Sequence, residues 1–135
     1  MSRRDTQRLA DYLGHILQAI ERINRYTEDM GEIVFLEDEM AQDAVIRNFE
    51  IIGEASHNIE VNFPAFAQAH PELPLAFAYQ MRNAVAHGYF KVDLEIVWKT
   101  VQNDLFGLYT QVQQALEDLL REDGDNGFEM KPLKP

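Results

Sequence analysis

The stretch DTQRLADYLGHILQAIERINRYT, residues 5–27, decides the fold class of this chain. Its apolar residues recur at steps of three and four, the spacing that places side chains on one stripe of an α-helix. They are Leu9, Tyr12, Leu13, Ile16, Leu17, Ile20 and Ile23. Asp5 is suited to cap the start of this helix, and Met30 and Gly31 with their polar neighbours end it. The stretch therefore predicts a long amphipathic helix.

A second and a third helix are predicted beyond this stretch. The second carries an apolar stripe of Ala41, Ala44, Val45, Phe49, Ile52, Ala55 and Ile59. It follows the acidic residues 37–39, which complement the positive end of a helix dipole. The prolines of residues 62–74 bracket a short helical turn, and Pro74 can open a third helix that ends at Gly88.

A fourth helix, capped by Asp93, completes the predicted fold. It carries Val97, Trp98, Val101, Leu105, Leu108, Val112, Ala115, Leu116 and Leu119. No stretch alternates between apolar and polar residues with a period of two, so no sheet is expected. We predict an all-α protein, an antiparallel four-helix bundle over residues 1–120 with a short flexible tail over residues 121–135.

Composition limits the class of protein. The chain has 135 residues, 46% of them hydrophobic, which suits one globular domain. It has no cysteine, which excludes disulfides, thiolate nucleophiles and cysteine-ligated zinc and suits a reducing cytosol. The first residues show no signal peptide, and the longest apolar run, residues 73–79, is too short to span a membrane. We expect a soluble cytoplasmic protein with no membrane partner.

The net charge of −11 argues against a protein that coats nucleic acid, and no DNA partner is expected. The charge is uneven along the chain. Residues 28–54 hold nine acidic residues against one arginine, whereas residues 1–27 hold five arginines against three acids. The acidic flank is either a solvated helix face or a docking surface for a basic partner, and the arginines are candidates for contacting phosphates.

The segment MRNAVAHGYF, residues 81–90, gathers polar groups at the end of the third helix. Asn83 and His87 are four residues apart and share a face, so the amide can orient the imidazole. Arg82 and His87 are five apart, about 140° around an ideal helix. They converge on one phosphate only if the helix end distorts or if two copies of the chain meet.

Arginine and histidine together suit the cleavage of RNA without a metal ion. Attack by the ribose 2′-hydroxyl on the adjacent phosphorus needs a base, and the departing 5′-oxygen needs an acid; a histidine can serve either step. A guanidinium matches the charge that develops on the phosphorus oxygens. In the alternative, structural reading, Arg82 pairs with a carboxylate and His87 caps a helix.

The same segment resembles the signature of HEPN-domain proteins, specifically the HepT-like toxins: an arginine, four residues, a histidine, one residue and a tyrosine, here Arg82, His87 and Tyr89. The resemblance continues through residues 90–98 and includes residues 43–55 and 11–17, so that it spans about residues 9–109. One departure is Leu75, where the pattern has a tryptophan after the proline.

The resemblance implies an α-helical homodimer in which two sets of Arg82 and His87 meet in a composite cleft. It implies a toxin that cuts transfer RNA or messenger RNA and requires no cofactor. It also implies a minimal nucleotidyltransferase antitoxin, able to form a hetero-oligomer with the toxin, that transfers AMP to Tyr89 and blocks the site. Asn83, Glu54 and Arg47 are then expected to support the cleft, with a carboxylate orienting the Arg82 guanidinium.

From the residues alone, two other classes of protein remain as alternatives. Glu54 and His57 have the Glu-x-x-His spacing of di-iron bundles, but the chain has no second copy of that element. The histidines at positions 15, 57 and 70 lack metal-ligand spacing and are interpreted as surface residues. The other rival is a helical adaptor that only recruits a nucleotidyltransferase and carries a nucleotide.

Overall fold

A computed structural model describes residues 1–87 and 93–125 of the chain, without the side chains of Phe77, residues 83–87 and residues 124–125. Seven helices occupy these residues, and no strand occurs among them. They are α1 (Arg3–Thr27), α2 (Glu32–Glu37), α3 (Glu39–Asn62), α4 (Pro64–Ala69), α5 (Leu75–His87), α6 (Leu94–Asn103) and α7 (Leu105–Asp125). Within the described chain, none of the helices combines the length and apolarity needed to cross a membrane.

The long helices pack side by side in antiparallel pairs. The Tyr12 ring on α1 meets the Phe63 ring that ends α3. Helix α7 returns along α1, because Tyr109 reaches Glu21 and Asp123 reaches Thr6 at the opposite end. Helix α5 packs antiparallel to α3, because Gly53 meets Arg82 and His57 meets Tyr79. The prediction of an all-α bundle is confirmed.

The core lies between these helices and is supplied by the apolar stripes. On α1, the side chains of Leu9, Leu13, Ile16, Ile20 and Ile23 are fully buried. Helix α3 adds Val45, Phe49, Ile52 and Ile59, and the last two helices add Val97, Trp98, Val101, Leu105, Val112 and Leu119. Burial of each such side chain contributes roughly 1.5–3 kcal/mol, so the stripes account for the packing of the bundle.

The helix ends depart from the predicted ones in four places. Helix α1 begins at Arg3, with Ser2 rather than Asp5 as its N-cap. Helix α2 was not predicted. The fourth predicted helix is interrupted at Asp104, where α6 ends and α7 begins. Helix α7 continues to Asp125, five residues beyond the predicted end, and the rest of the predicted tail, residues 126–135, lies outside the described residues.

The interruption at Asp104 has a local cause. The Thr100 hydroxyl donates to the carbonyl oxygen of Ile96 one turn earlier, a contact that commonly bends helices. The Asp104 N–H donates to the Thr100 carbonyl oxygen and closes α6. On the two sides of Asp104, α6 packs on α2 and α7 packs along α1.

Candidate active site

Gly53 lies where α3 and α5 approach each other, and the aliphatic stem of Arg82 packs directly over it. A Cβ atom built on Gly53 would overlap the Arg82 Cβ, and it would lie 2.8 Å from the Arg82 Cγ and 3.0 Å from the carbonyl oxygen of Ala78. The missing side chain of Gly53 is therefore what admits the arginine to the seam between these two helices.

The guanidinium of Arg82 reaches along α3 to Glu54. The Arg82 Nη2 donates to the Glu54 Oε1 at 3.4 Å, and the arginine side chain is 26% exposed against 51% for the glutamate. A separation of 3.4 Å is long for a hydrogen bond between charged groups. The ion pair agrees with the structural reading of Arg82, and it also agrees with a carboxylate that orients a catalytic guanidinium.

One turn away, His57 of α3 stacks on Tyr79 of α5. The ring centroids are 3.9 Å apart and the planes differ by 13°. Both side chains are partly exposed. His57 is therefore not an isolated surface histidine, and Tyr79 contacts a polar ring at the edge of the seam.

The other predicted site residues are not brought to the Arg82–Glu54 pair by any described contact. The guanidinium of Arg47 is exposed and pairs with Glu50 on its own helix at 3.4 Å. Asn83 and His87 belong to α5, but their side chains lie outside the described part, and Tyr89 lies outside the described residues altogether. Because α5 continues through His87, the backbone positions of Arg82 and His87 stay about 140° apart around the helix.

The metal alternative lacks a ligand set in this region. Among the side chains that the structure describes, no three histidine, aspartate or glutamate residues are grouped so that they could hold a metal ion. Of the Glu-x-x-His pair, Glu54 faces Arg82 and His57 stacks on Tyr79. His70 donates from Nδ1 to the Glu72 carboxylate at 2.8 Å.

Two features of this seam were missed by the sequence reasoning, namely the role of Gly53 and the His57–Tyr79 stack. The sequence holds one signal for them, because Glu54 and His57 are three residues apart and so are Tyr79 and Arg82. Each pair lies on one helix face. Nothing in a single sequence, however, indicates that these two faces meet.

Comparison with known proteins indicates the family of the chain. A family model described as Ribonuclease HepT-like matches residues 16–117. "Probable ribonuclease HepT" of Thermococcus cleftensis is 45% identical over 95 residues, 70% of this chain and 84% of that protein. "Gamma-glutamylcyclotransferase and putative RNase" of Methanocaldococcus jannaschii is 38% identical over 108 residues, 80% of this chain and 47% of that protein.

A third relative, a "Putative RNase" of Caldanaerobacter subterraneus, is 32% identical over 106 residues, 78% of this chain and 92% of that protein. No solved structure matches the chain. The family model covers most of the bundle, from the middle of α1 into α7, and includes both helices of the Arg82 seam. The chain belongs to the HepT-like ribonuclease family.

Proposed function

We propose that this chain is an endoribonuclease that cleaves cellular RNA without a metal ion. The observation that carries the proposal is the placement of Arg82. Its stem is packed over Gly53, its guanidinium contacts Glu54 at 3.4 Å, and it lies on the same helix as His87. A partly exposed guanidinium whose stem is packed and which contacts a carboxylate is suited to bind a phosphodiester in a fixed orientation.

The reaction needs only groups of this chain and its substrate. The ribose 2′-oxygen forms a bond to the adjacent phosphorus while its proton passes to a base. The bond from phosphorus to the 5′-oxygen breaks, and that oxygen receives a proton from an acid. His87 serves one of these proton transfers, and Arg82 stabilises the negative charge on the phosphorus oxygens. The products are a 2′,3′-cyclic phosphate and a 5′-hydroxyl.

The proposed site is composite, formed by two copies of the chain. The helix positions of Arg82 and His87 are about 140° apart, so the arginine of one protomer and the histidine of its partner are better placed to share one phosphate. A homodimer should sediment as about twice 15.6 kDa at micromolar concentration. A fully active monomer would remove the composite site from the proposal.

The proposal extends to regulation within a toxin–antitoxin pair. A nucleotidyltransferase antitoxin joins the Tyr89 phenol oxygen to the α-phosphorus of ATP, pyrophosphate leaves, and the phenol proton passes to solvent. The attached AMP would fill the cleft and place a negative phosphodiester beside Arg82, which excludes the RNA by bulk and by repulsion. Mass mapping of peptides after incubation with the antitoxin and ATP tests whether Tyr89 is the acceptor.

The central experiment incubates the purified protein with total RNA in the presence of EDTA. We expect cleavage by the wild type, and a loss of about a hundredfold or more in Arg82→Ala and His87→Ala. Arg121→Ala and His15→Ala are matched controls, because Arg121 is exposed and pairs with Asp118 of its own helix, and His15 is exposed on α1. Circular dichroism should show the same helix content in all of them.

Other outcomes identify the rival functions. Wild-type cleavage rates in Arg82→Ala or His87→Ala would contradict the assignment of the site. Normal cleavage of a substrate with a single 2′-deoxy at the scissile nucleotide would contradict the 2′-hydroxyl mechanism. Absence of cleavage with and without metal would favour the non-catalytic adaptor that binds a nucleotidyltransferase and a nucleotide.

A further inference from the structure

The His57–Tyr79 stack and the Arg82–Glu54 ion pair form two consecutive contacts across the seam of α3 and α5. His57 follows Glu54 by three residues on one helix, and Tyr79 precedes Arg82 by three on the other. Three residues of helix rise about 4.5 Å along the axis. A flat polar-aromatic pair therefore lies one helical turn from the guanidinium that we assign to the phosphate.

We propose that the His57–Tyr79 stack is a base-binding subsite for single-stranded RNA. A nucleotide whose phosphate lies at Arg82 would place its base against this pair. The inference rests on the proposed ribonuclease function and adds a contact to the substrate on the side of the seam toward the start of α5. His57 and Tyr79 are substrate-binding residues in this assignment and take no part in proton transfer.

The geometry and exposure of the His57 and Tyr79 rings indicate which class of ligand they can bind. The two rings stack face to face, with centroids 3.9 Å apart and planes that differ by 13°, so a further ring can stack only on an outer face of the pair. Both residues keep part of their surface in solvent. Aromatic side chains stack on unpaired bases with little regard to sequence, whereas bases inside a duplex are already stacked on their neighbours. The subsite therefore fits a base in a loop or other single-stranded region.

The charge of the protein supports a stacking contribution to RNA affinity. Proteins that bind RNA mainly through phosphates use many lysines and arginines, but this chain has 12 basic residues against 23 acidic ones. Stacking on the uncharged bases does not depend on a surplus of positive charge. A contact to the base beside Arg82 would also set which phosphate enters the site.

A purely structural role for the stack makes different predictions. The seam is already closed by the packing of Arg82 on Gly53 and by the buried side chains of Ile52, Leu75 and Ala78. If the stack only holds α3 to α5, its loss should lower stability and affect all RNA ligands equally. If it binds a base, its loss should matter only when the RNA carries that base.

The test measures the Kd of a fluorescein-labelled single-stranded RNA by anisotropy, using full-length protein that carries His87→Ala to prevent cleavage. Adding Tyr79→Leu or His57→Leu should weaken binding roughly fivefold to a hundredfold. Tyr79→Phe keeps the stacking surface and should stay within about twofold. Tyr26→Leu is the matched control, since Tyr26 is 38% exposed at the far end of α1.

A second arm replaces the bases of the RNA by abasic riboses and leaves the protein with His87→Ala alone. The abasic RNA should bind this protein as weakly as the intact RNA binds the Tyr79→Leu variant, and Tyr79→Leu should not weaken it further. This arm decides the question even if a leucine variant fails to fold. Equal binding of intact and abasic RNA would overturn the subsite.

The failure of the subsite and the failure of the proposed function are distinguishable. If the wild type cleaves RNA and Tyr79→Leu in the otherwise wild-type chain cleaves it with an unchanged KM, only the subsite is wrong. If the wild type cleaves no RNA but the stack variants still lose base-dependent binding, the reaction is wrong and the subsite stands.

Discussion

Among the described glycines, Gly53 is the one where the structure leaves no room for a Cβ atom. In a helix interior, alanine is normally more stabilising than glycine by about 1 kcal/mol. At Gly53 the added methyl group would overlap the Arg82 stem and approach the backbone oxygen of Ala78 at 3.0 Å. The helices α3 and α5 would have to separate, which disturbs the candidate site as well as the packing.

We therefore expect Gly53→Ala to lower the free energy of unfolding by about 1–3 kcal/mol, the usual cost of overpacking. Gly14→Ala is the matched control, because a Cβ there has nothing within 4 Å. That substitution should raise the free energy of unfolding by about 0.5–1 kcal/mol. Urea denaturation measures both, and equal stabilisation of the two variants would show that the seam is not tightly packed at Gly53.

Helix α2 is stabilised by its contacts with α3 and α6. It has six residues, too few to be stable alone. Its Phe35 is fully buried against Trp98 of α6, with ring centroids 5.2 Å apart. The Phe35 carbonyl oxygen also accepts a hydrogen bond of 2.9 Å from the Gln42 side chain of α3. The helix is thus held by α3 and α6.

Phe35→Ala should cost about 3–5 kcal/mol of stability, the range for deletion of a buried aromatic ring. The Trp98 emission should shift to longer wavelength as water reaches the cavity. Ile33→Ala in the same helix is the control, because Ile33 is 75% exposed and its loss should change stability by no more than about 0.5 kcal/mol. Similar effects of the two substitutions would mean that α2 is not anchored through Phe35.

The whole bundle is joined at its two ends by polar contacts between α1 and α7. One of them, from the Tyr109 hydroxyl to Glu21 at 2.8 Å, titrates. Donation of this hydrogen bond to Glu21 raises the pKa of Tyr109, and partial burial raises it further. Since the folded state favours the protonated phenol, the contact stabilises the protein below the ordinary tyrosine pKa of about 10 and is lost as the pH rises through the raised value.

The stability difference between the wild type and Tyr109→Phe should accordingly stay constant up to about pH 9 and shrink above about pH 10. Above the raised pKa the phenolate faces the Glu21 carboxylate, so the difference should reverse. Urea denaturation at stepped pH measures it, and the other tyrosines cancel because both proteins carry them. A difference that is independent of pH up to 11 (roughly one unit above the tyrosine value) would contradict the hydrogen bond.

The long helices and the family can be read from the amino-acid sequence alone. Steps of three and four residues are a property of one helix and its own face, so the stripes of residues 5–27 and 41–59 predict α1 and most of α3 without reference to the rest of the molecule. The segment around Arg82 predicted a HepT-like ribonuclease, and this is confirmed. The sequence does not predict the interruption at Asp104, because the apolar stripe continues across it.

Which helix faces meet depends on the packing of the whole bundle. Helix α2 exists because of partners seven and 63 residues away, Gln42 and Trp98. Arg82 lies on Gly53, and Tyr79 stacks on His57, because α3 and α5 take one antiparallel register. Periodicity records how each helix is oriented about its own axis. It carries no information on the sliding of one helix along another, and that register decides which polar side chains share a site.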